Sequence, residues 1–151
     1  MPSYIHIYVM ALYYGATIPQ HVFKLQKKVP IINKTHFRDH CKPIFISNKI
    51  LSLPCIYILQ CLKRNFADFT LRGNIHYHDN RNNHLINTYL CCYTTTQNNF
   101  NYMPIKLHNS LPLFAKYLEY DNFKRFIKNM LYDQYFYNLD DYFQYISNLS
   151  N

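Results

Sequence analysis

Apolar residues recur along this chain mostly at helical spacing. Ile18, Val22, Leu25 and Val29 step by four, three and four, which is one stripe of a helix. Pro19 suits its first turn, where no intrahelical N–H is lost, and Pro30 disfavours α conformation at Val29 and stops or kinks the helix there. Lys24, Lys27 and Lys28 fall mainly off the stripe, the last two near the end where positive charge complements the helix dipole. After a basic connector over 31–38, the pattern predicts a short helix from about His40 to Ser47, with Asp39 as N-cap and Pro43 in its first turn. Ser52-Leu53-Pro54 reads as the next helix start. Cys55, Ile56, Ile58, Leu59 and Leu62 follow so closely that a buried helix explains them best, with a strand over 54–59 as the weaker alternative. Cys55 and Cys61 then read as small core residues.

The pattern breaks at Leu-Arg-Gly-Asn-Ile-His-Tyr-His-Asp-Asn-Arg-Asn-Asn-His, residues 71–84, the most polar stretch of the chain. Density of Asn, Asp and Gly marks a long loop, and such a loop in a compact chain is either functional or disordered. Beyond it, the aromatic and β-branched residues of 87–96 favour an extended segment, and 97–101 a turn. A short helix is expected from Met103, ending near Asn109 before Pro112. The clearest helix begins near Asp121, its expected N-cap, with Phe123, Phe126, Ile127, Met130 and Leu131 on one face and Lys124, Arg125 and Lys128 on the other. A last helix follows Asn138, whose side chain caps it with Asp141 three residues on, and Leu139, Tyr142, Phe143 and Ile146 form its apolar face.

The expected fold is mainly α: a small bundle of about five helices, a long polar loop near 66–87 and little or no β. Its parts are an apolar N-terminal segment (1–17), a helical part (18–65), a polar loop and extended connector (66–102), a second helical part (103–147) and a tail. A length of 151 residues fits one domain, and 49% apolar residues suffice for a core. Only two glycines argue against a turn-rich all-β domain.

A net charge of +8 suits a negatively charged partner, most simply nucleic acid, although lysines on solvated helix faces account for it without a ligand. Five cysteines, an odd count without an obvious secretory signal, favour free thiols in a reducing, intracellular compartment. The apolar run from Tyr4 to Tyr14 is shorter than the ~20 residues a membrane-spanning helix needs, so no membrane partner is expected.

Candidate chemistry is sparse. His76, His78 and His84 precede Cys91 and Cys92, but His-x-His beside an adjacent Cys-Cys pair is a poor fit to the spaced pairs of a structural zinc site. No metal or other cofactor is therefore expected. Asp140-Asp141 are the only adjacent carboxylates. A polymerase pair would need a β-turn and a third carboxylate, whereas negative charge in a first helical turn is explained by the dipole. Phosphate-loop, nucleophile-elbow and His-Glu-x-x-His motifs are absent from the sequence.

Several stretches nevertheless follow one another in a recognisable order. Tyr14-Gly15 precedes Leu25-Gln26-Lys27-Lys28. His40-Cys41-Lys42-Pro43-Ile44-Phe45 precedes Ile50-Leu51-Ser52-Leu53-Pro54-Cys55-Ile56-Tyr57-Ile58. Then come Ile75-His76-Tyr77-His78-Asp79-Asn80-Arg81, Ile105-Lys106-Leu107-His108-Asn109-Ser110-Leu111-Pro112, Phe123-Lys124, and Phe136-Tyr137-Asn138-Leu139-Asp140-Asp141-Tyr142-Phe143. Together they resemble the C-terminal part, thumb and beyond, of reverse transcriptases from non-LTR retrotransposons of the jockey-like, insect type. Pro30, His78 and Asn80 depart from that pattern.

The resemblance implies a helical thumb that packs beside an upstream polymerase palm and helps to hold the template–primer duplex. The family's catalytic aspartates and magnesium site have no counterpart in this sequence, so the chain is expected to be a C-terminal fragment of an RNA-directed DNA polymerase with no catalysis of its own. Nucleic-acid backbone contacts are then expected at Lys24, Lys27, Lys28, Lys34 and Arg38, with Arg81 from the loop. The alternative is a non-catalytic helical interaction or remnant protein without a ligand.

Overall fold

The computed structural model describes residue 28 and residues 41–64, 70–75, 81–88 and 102–149. Among these the chain is mainly helical and forms no sheet. The helices are α1 (Cys41–Ser47), α2 (Leu53–Arg64), α3 (Met103–Ser110), α4 (Leu113–Lys116), α5 (Tyr120–Asp133) and α6 (Leu139–Leu149). None of them is long and apolar enough to cross a membrane. The expected helix from 18 to 29, apart from Lys28, the expected cap Asp39, and the extended segment and turn expected over 87–101, apart from residues 87 and 88, lie outside the described residues.

Apolar spacing decides the packing. α2 lies against α3 and α5, α3 also against α6, and α4 against α5. Ile58 and Leu62 from α2 meet Leu107 of α3, Phe123, Ile127 and Leu131 of α5, and Tyr142 and Ile146 of α6 in one core. Each fully buried side chain of this size contributes about 1.5–3 kcal/mol relative to exposure. Segment 54–59 is therefore helix and not strand, and Cys55 and Cys61 are core residues with no exposed surface.

Ser52 starts α2. Its buried hydroxyl accepts from the Cys55 N–H at 3.2 Å and donates to the Phe136 carbonyl at 2.8 Å, which ties the helix start to the α5–α6 connection. α1 ends in a reciprocal pair of bonds, Ile50 N–H to Phe45 O (2.9 Å) and Lys49 N–H to Ile46 O (3.1 Å), with Lys49 left-handed at φ 50°. That is a Schellman motif with lysine where glycine usually stands.

The caps of the C-terminal helices depart from expectation at one position. Asp121 is not the N-cap of α5. The helix begins at Tyr120, Glu119 occupies the cap position without a side-chain hydrogen bond, and Asp121 sits inside the first turn, where its charge still favours the dipole. α6 is capped as its sequence predicts: Asp141 N–H donates to Asn138 Oδ1 at 2.7 Å. The returning bond runs from the Tyr137 N–H to the Asp141 carboxylate at 3.0 Å, one residue earlier than a standard capping box. α4 is an added turn after Pro112, too short for any periodicity to announce it.

The described parts of the polar loop are ordered against one another and against α3. Leu71 and Ile86 form an isolated antiparallel bridge, flanked by Arg72 N–H to Leu85 O (2.9 Å) and Asn87 N–H to Thr70 O (3.0 Å). Gly73 donates to Asn83 O at 3.1 Å, and a Cβ on it would stand 3.1 Å from Asn83 Cβ, so the close approach favours glycine. The Asn109 side-chain amide then treats Ile86 as a neighbouring strand would, accepting from its N–H at 2.8 Å and donating to its carbonyl at 3.0 Å. Bonding on both sides fixes the orientation of that amide.

Candidate nucleic-acid interface

The longest described helix, α5, supplies the site. Its buried face is Phe123, Ile127, Met130 and Leu131, which leaves Lys124, Arg125 and Lys128 exposed. Four residues share one inclined row at steps of four: Tyr120, Lys124, Lys128 and Tyr132. The Lys124 ammonium lies 6.0 Å from the Tyr120 ring centroid, and the Lys128 ammonium 5.7 Å from that of Tyr132. The two lysines thus lean in opposite directions, each onto its own ring.

A third cation comes from α2. Lys63, half-buried near the end of that helix, is held below the usual ammonium range by burial and by the like charges of Lys124 and Lys128. Three cations gathered this way repel one another. The cost falls when a polyanion binds and rises when salt is absent, because exposed charges are screened over about 10 Å at 0.1 M.

The sequence-derived contacts fare differently. Lys24, Lys27, Lys34 and Arg38 lie outside the described residues. Lys28 and Arg81 are described, and both are exposed in turns. Lys63 carries no such signal in the sequence, because the apolar pattern assigns its helix to the core. Lys124 and Lys128 read as a solvated face from periodicity alone, although their spacing from Tyr120 and Tyr132 is present in the sequence.

Other titratable groups are shifted toward their neutral forms. Burial pushes the Cys55 thiol up and the Cys61 thiol up to about 12, which keeps both as inert thiols at neutral pH. Burial, with Lys116 nearby, pulls the His108 imidazole down to about 4. Its Nδ1 is buried and makes no hydrogen bond, and its ring lies 6.1 Å from that of Phe123. Lys116 itself donates to the Asn109 carbonyl at 2.8 Å.

The candidate carboxylate pair serves the α6 cap through Asp141, while Asp140 is exposed. Of the candidate zinc ligands only His84 is described, and no three His, Cys, Asp or Glu side chains converge among the described residues. The arrangement is suited to binding an anion electrostatically.

No protein family's sequence profile matches the chain, and neither a curated protein nor a solved structure matches it significantly.

Proposed function

We propose that the chain is the C-terminal, thumb-like portion of a non-LTR retrotransposon reverse transcriptase, without polymerase catalysis of its own, and that it binds the nucleic-acid backbone. The reading starts from the ordered series of motifs and their expectation of a helical bundle. The observation that supports the binding role is the packing of α2 on α5, which sets half-buried Lys63 within electrostatic reach of exposed Lys124 and Lys128. Such a surface suits phosphates of a template–primer duplex, and Lys28 and Arg81 remain available as exposed outlying contacts.

Filter binding of a DNA duplex at low and moderate salt tests this. Three phosphates neutralised by the three lysines give a slope of log affinity against log salt of about −2.7. Absence of binding at low salt sinks the proposal.

A second reading is a ligand-free helical interaction protein. It is favoured by Leu113, Phe114 and Tyr117, which are half or more exposed around α4, with Phe114 resting edge-on against Phe126 at 5.4 Å. Exposed apolar groups of this kind also suit packing against an upstream polymerase palm. Sedimentation and thermal unfolding separate the two readings: a cooperative, monomeric chain that ignores nucleic acid supports an independent module.

A further inference from the structure

The row along α5 has a basic middle and an aromatic at each end. From Tyr120 to Tyr132 it rises about 18 Å, at about 1.5 Å per residue. Tyr120 is exposed and Tyr132 is half-buried, and each carries a lysine ammonium over its ring. Lys–Tyr pairing at i, i+4 explains why those side chains lie along the helix. Lys63 comes to the same side from α2, which packs on α5, and its charge adds to theirs.

A polyanion accounts for the three cations, and the rings narrow its kind. A duplex presents phosphates but hides base faces in its stack. An acidic peptide presents charge without flat π-faces. A single strand presents both, and every base has a face that stacks on an aromatic ring.

We propose that the Tyr120–Lys124–Lys128–Tyr132 row, with Lys63 beside it, is a track for single-stranded nucleic acid in which the lysines neutralise phosphates and the two tyrosines stack bases. This rests on the preceding reading that the chain binds nucleic acid, and specifies which form this surface takes. On binding, each lysine turns from its ring to a phosphate. No covalent step is involved.

Fluorescence anisotropy of the full chain with a labelled oligo-dT 20-mer, and with a duplex of the same length, tests the assignment. The Y120L/Y132L pair is expected to weaken oligo-dT binding about 10-fold per ring, the equivalent of ~1.4 kcal/mol each. Duplex binding and the salt slope stay unchanged in that variant, and Y120F/Y132F, which keeps both rings, restores oligo-dT affinity. K63Q/K124Q/K128Q lowers the single-strand salt slope by about 2, from about 0.7 per phosphate. Circular dichroism checks the fold, and Y120L alone, at the more exposed ring, carries the test if the double variant unfolds.

Loss-free oligo-dT binding by the leucine variants, with duplex binding intact, overturns the track while leaving the broader nucleic-acid reading standing. Displacement of oligo-dT by polyglutamate at equal charge concentration also overturns it, since a mere polyanion surface would behave so. Failure of the unaltered chain to bind either oligonucleotide at low salt removes both proposals together.

Discussion

Replacing Ser52 by alanine removes one oxygen atom and two hydrogen bonds. The hydroxyl has no exposed surface, caps α2 through the Cys55 N–H and holds the Phe136 carbonyl 84 residues away. Loss of the cap costs about 1 kcal/mol. The Phe136 carbonyl is left with at most the Cys55 thiol, a weak donor, and under-satisfying a buried acceptor costs a further ~1–3 kcal/mol. The sum is about 3 kcal/mol, because the deleted oxygen is too small to leave a cavity that matters. With a urea slope of about 2 kcal/mol per M, typical of small domains, the unfolding midpoint falls by roughly 1.5 M.

Ser52→Gly separates the two parts. Glycine is tolerated at an N-cap at a cost of only a few tenths of a kcal/mol, so its loss is mainly the carbonyl, about 2 kcal/mol. Amide exchange at Cys55 supplies the local readout and should accelerate in both variants. If both variants lose less than about 0.5 kcal/mol, the Ser52–Phe136 bond does not hold the helix start to the α5–α6 connection, and the account of that junction is wrong.

Two further perturbations address the α3 side of the bundle. Asn109→Ala leaves the Ile86 N–H and carbonyl without their side-chain partner; a loss of about 1–3 kcal/mol is expected, together with faster amide exchange at Ile86 and unchanged helix content by circular dichroism. His108 makes the fold acid-sensitive. Its imidazole is lowered from 6.5 to about 4, so the folded chain binds fewer protons than the unfolded chain between those values. The stability is present above pH 6.5 and lost as pH falls toward 4, by at most about 3 kcal/mol. His84, lowered by burial and by Lys116, adds in the same direction. Urea midpoints at pH 7 and pH 4.5 should differ less in His108→Phe than in the parent; an equal difference would remove His108 as the source.

The elements with a long apolar stripe could be read from sequence, and those with a short or unusual boundary could not. α5 and α6 stand where Phe123, Ile127, Met130, Tyr142 and Ile146 place them, and α2 stands because so apolar a run must be buried on several sides. The end of α1 carries no glycine to mark it, since Lys49 takes the left-handed position. The cap of α5 lies two residues before the expected Asp121, because aspartate is a strong capping signal and Glu119, without a capping bond, gives a weak one. The interface was readable only along one helix. Periodicity places Lys124 and Lys128 on the exposed face, but within one helix it says nothing about a third cation arriving from α2. Asn109 illustrates the same limit, for no local rule pairs an amide in α3 with the backbone of the loop before it.

The phenol groups in the core have an optical consequence. Sixteen tyrosines and no tryptophan leave the near-ultraviolet signal to tyrosine. Burial drives the Tyr57 and Tyr142 hydroxyls well above the usual range, and Tyr142 OH is anchored at 3.4 Å from the Leu107 carbonyl between α6 and α3. A phenol raised in the folded state contributes stability below pH 10 that is lost as alkali ionises the unfolded chain. Phenolate absorbance from these two residues therefore lags behind that of the exposed tyrosines for as long as the helices hold them. Tyr142 thus gives the bundle its own chromophoric gauge of whether α3 and α6 are still in contact, and it needs no introduced label.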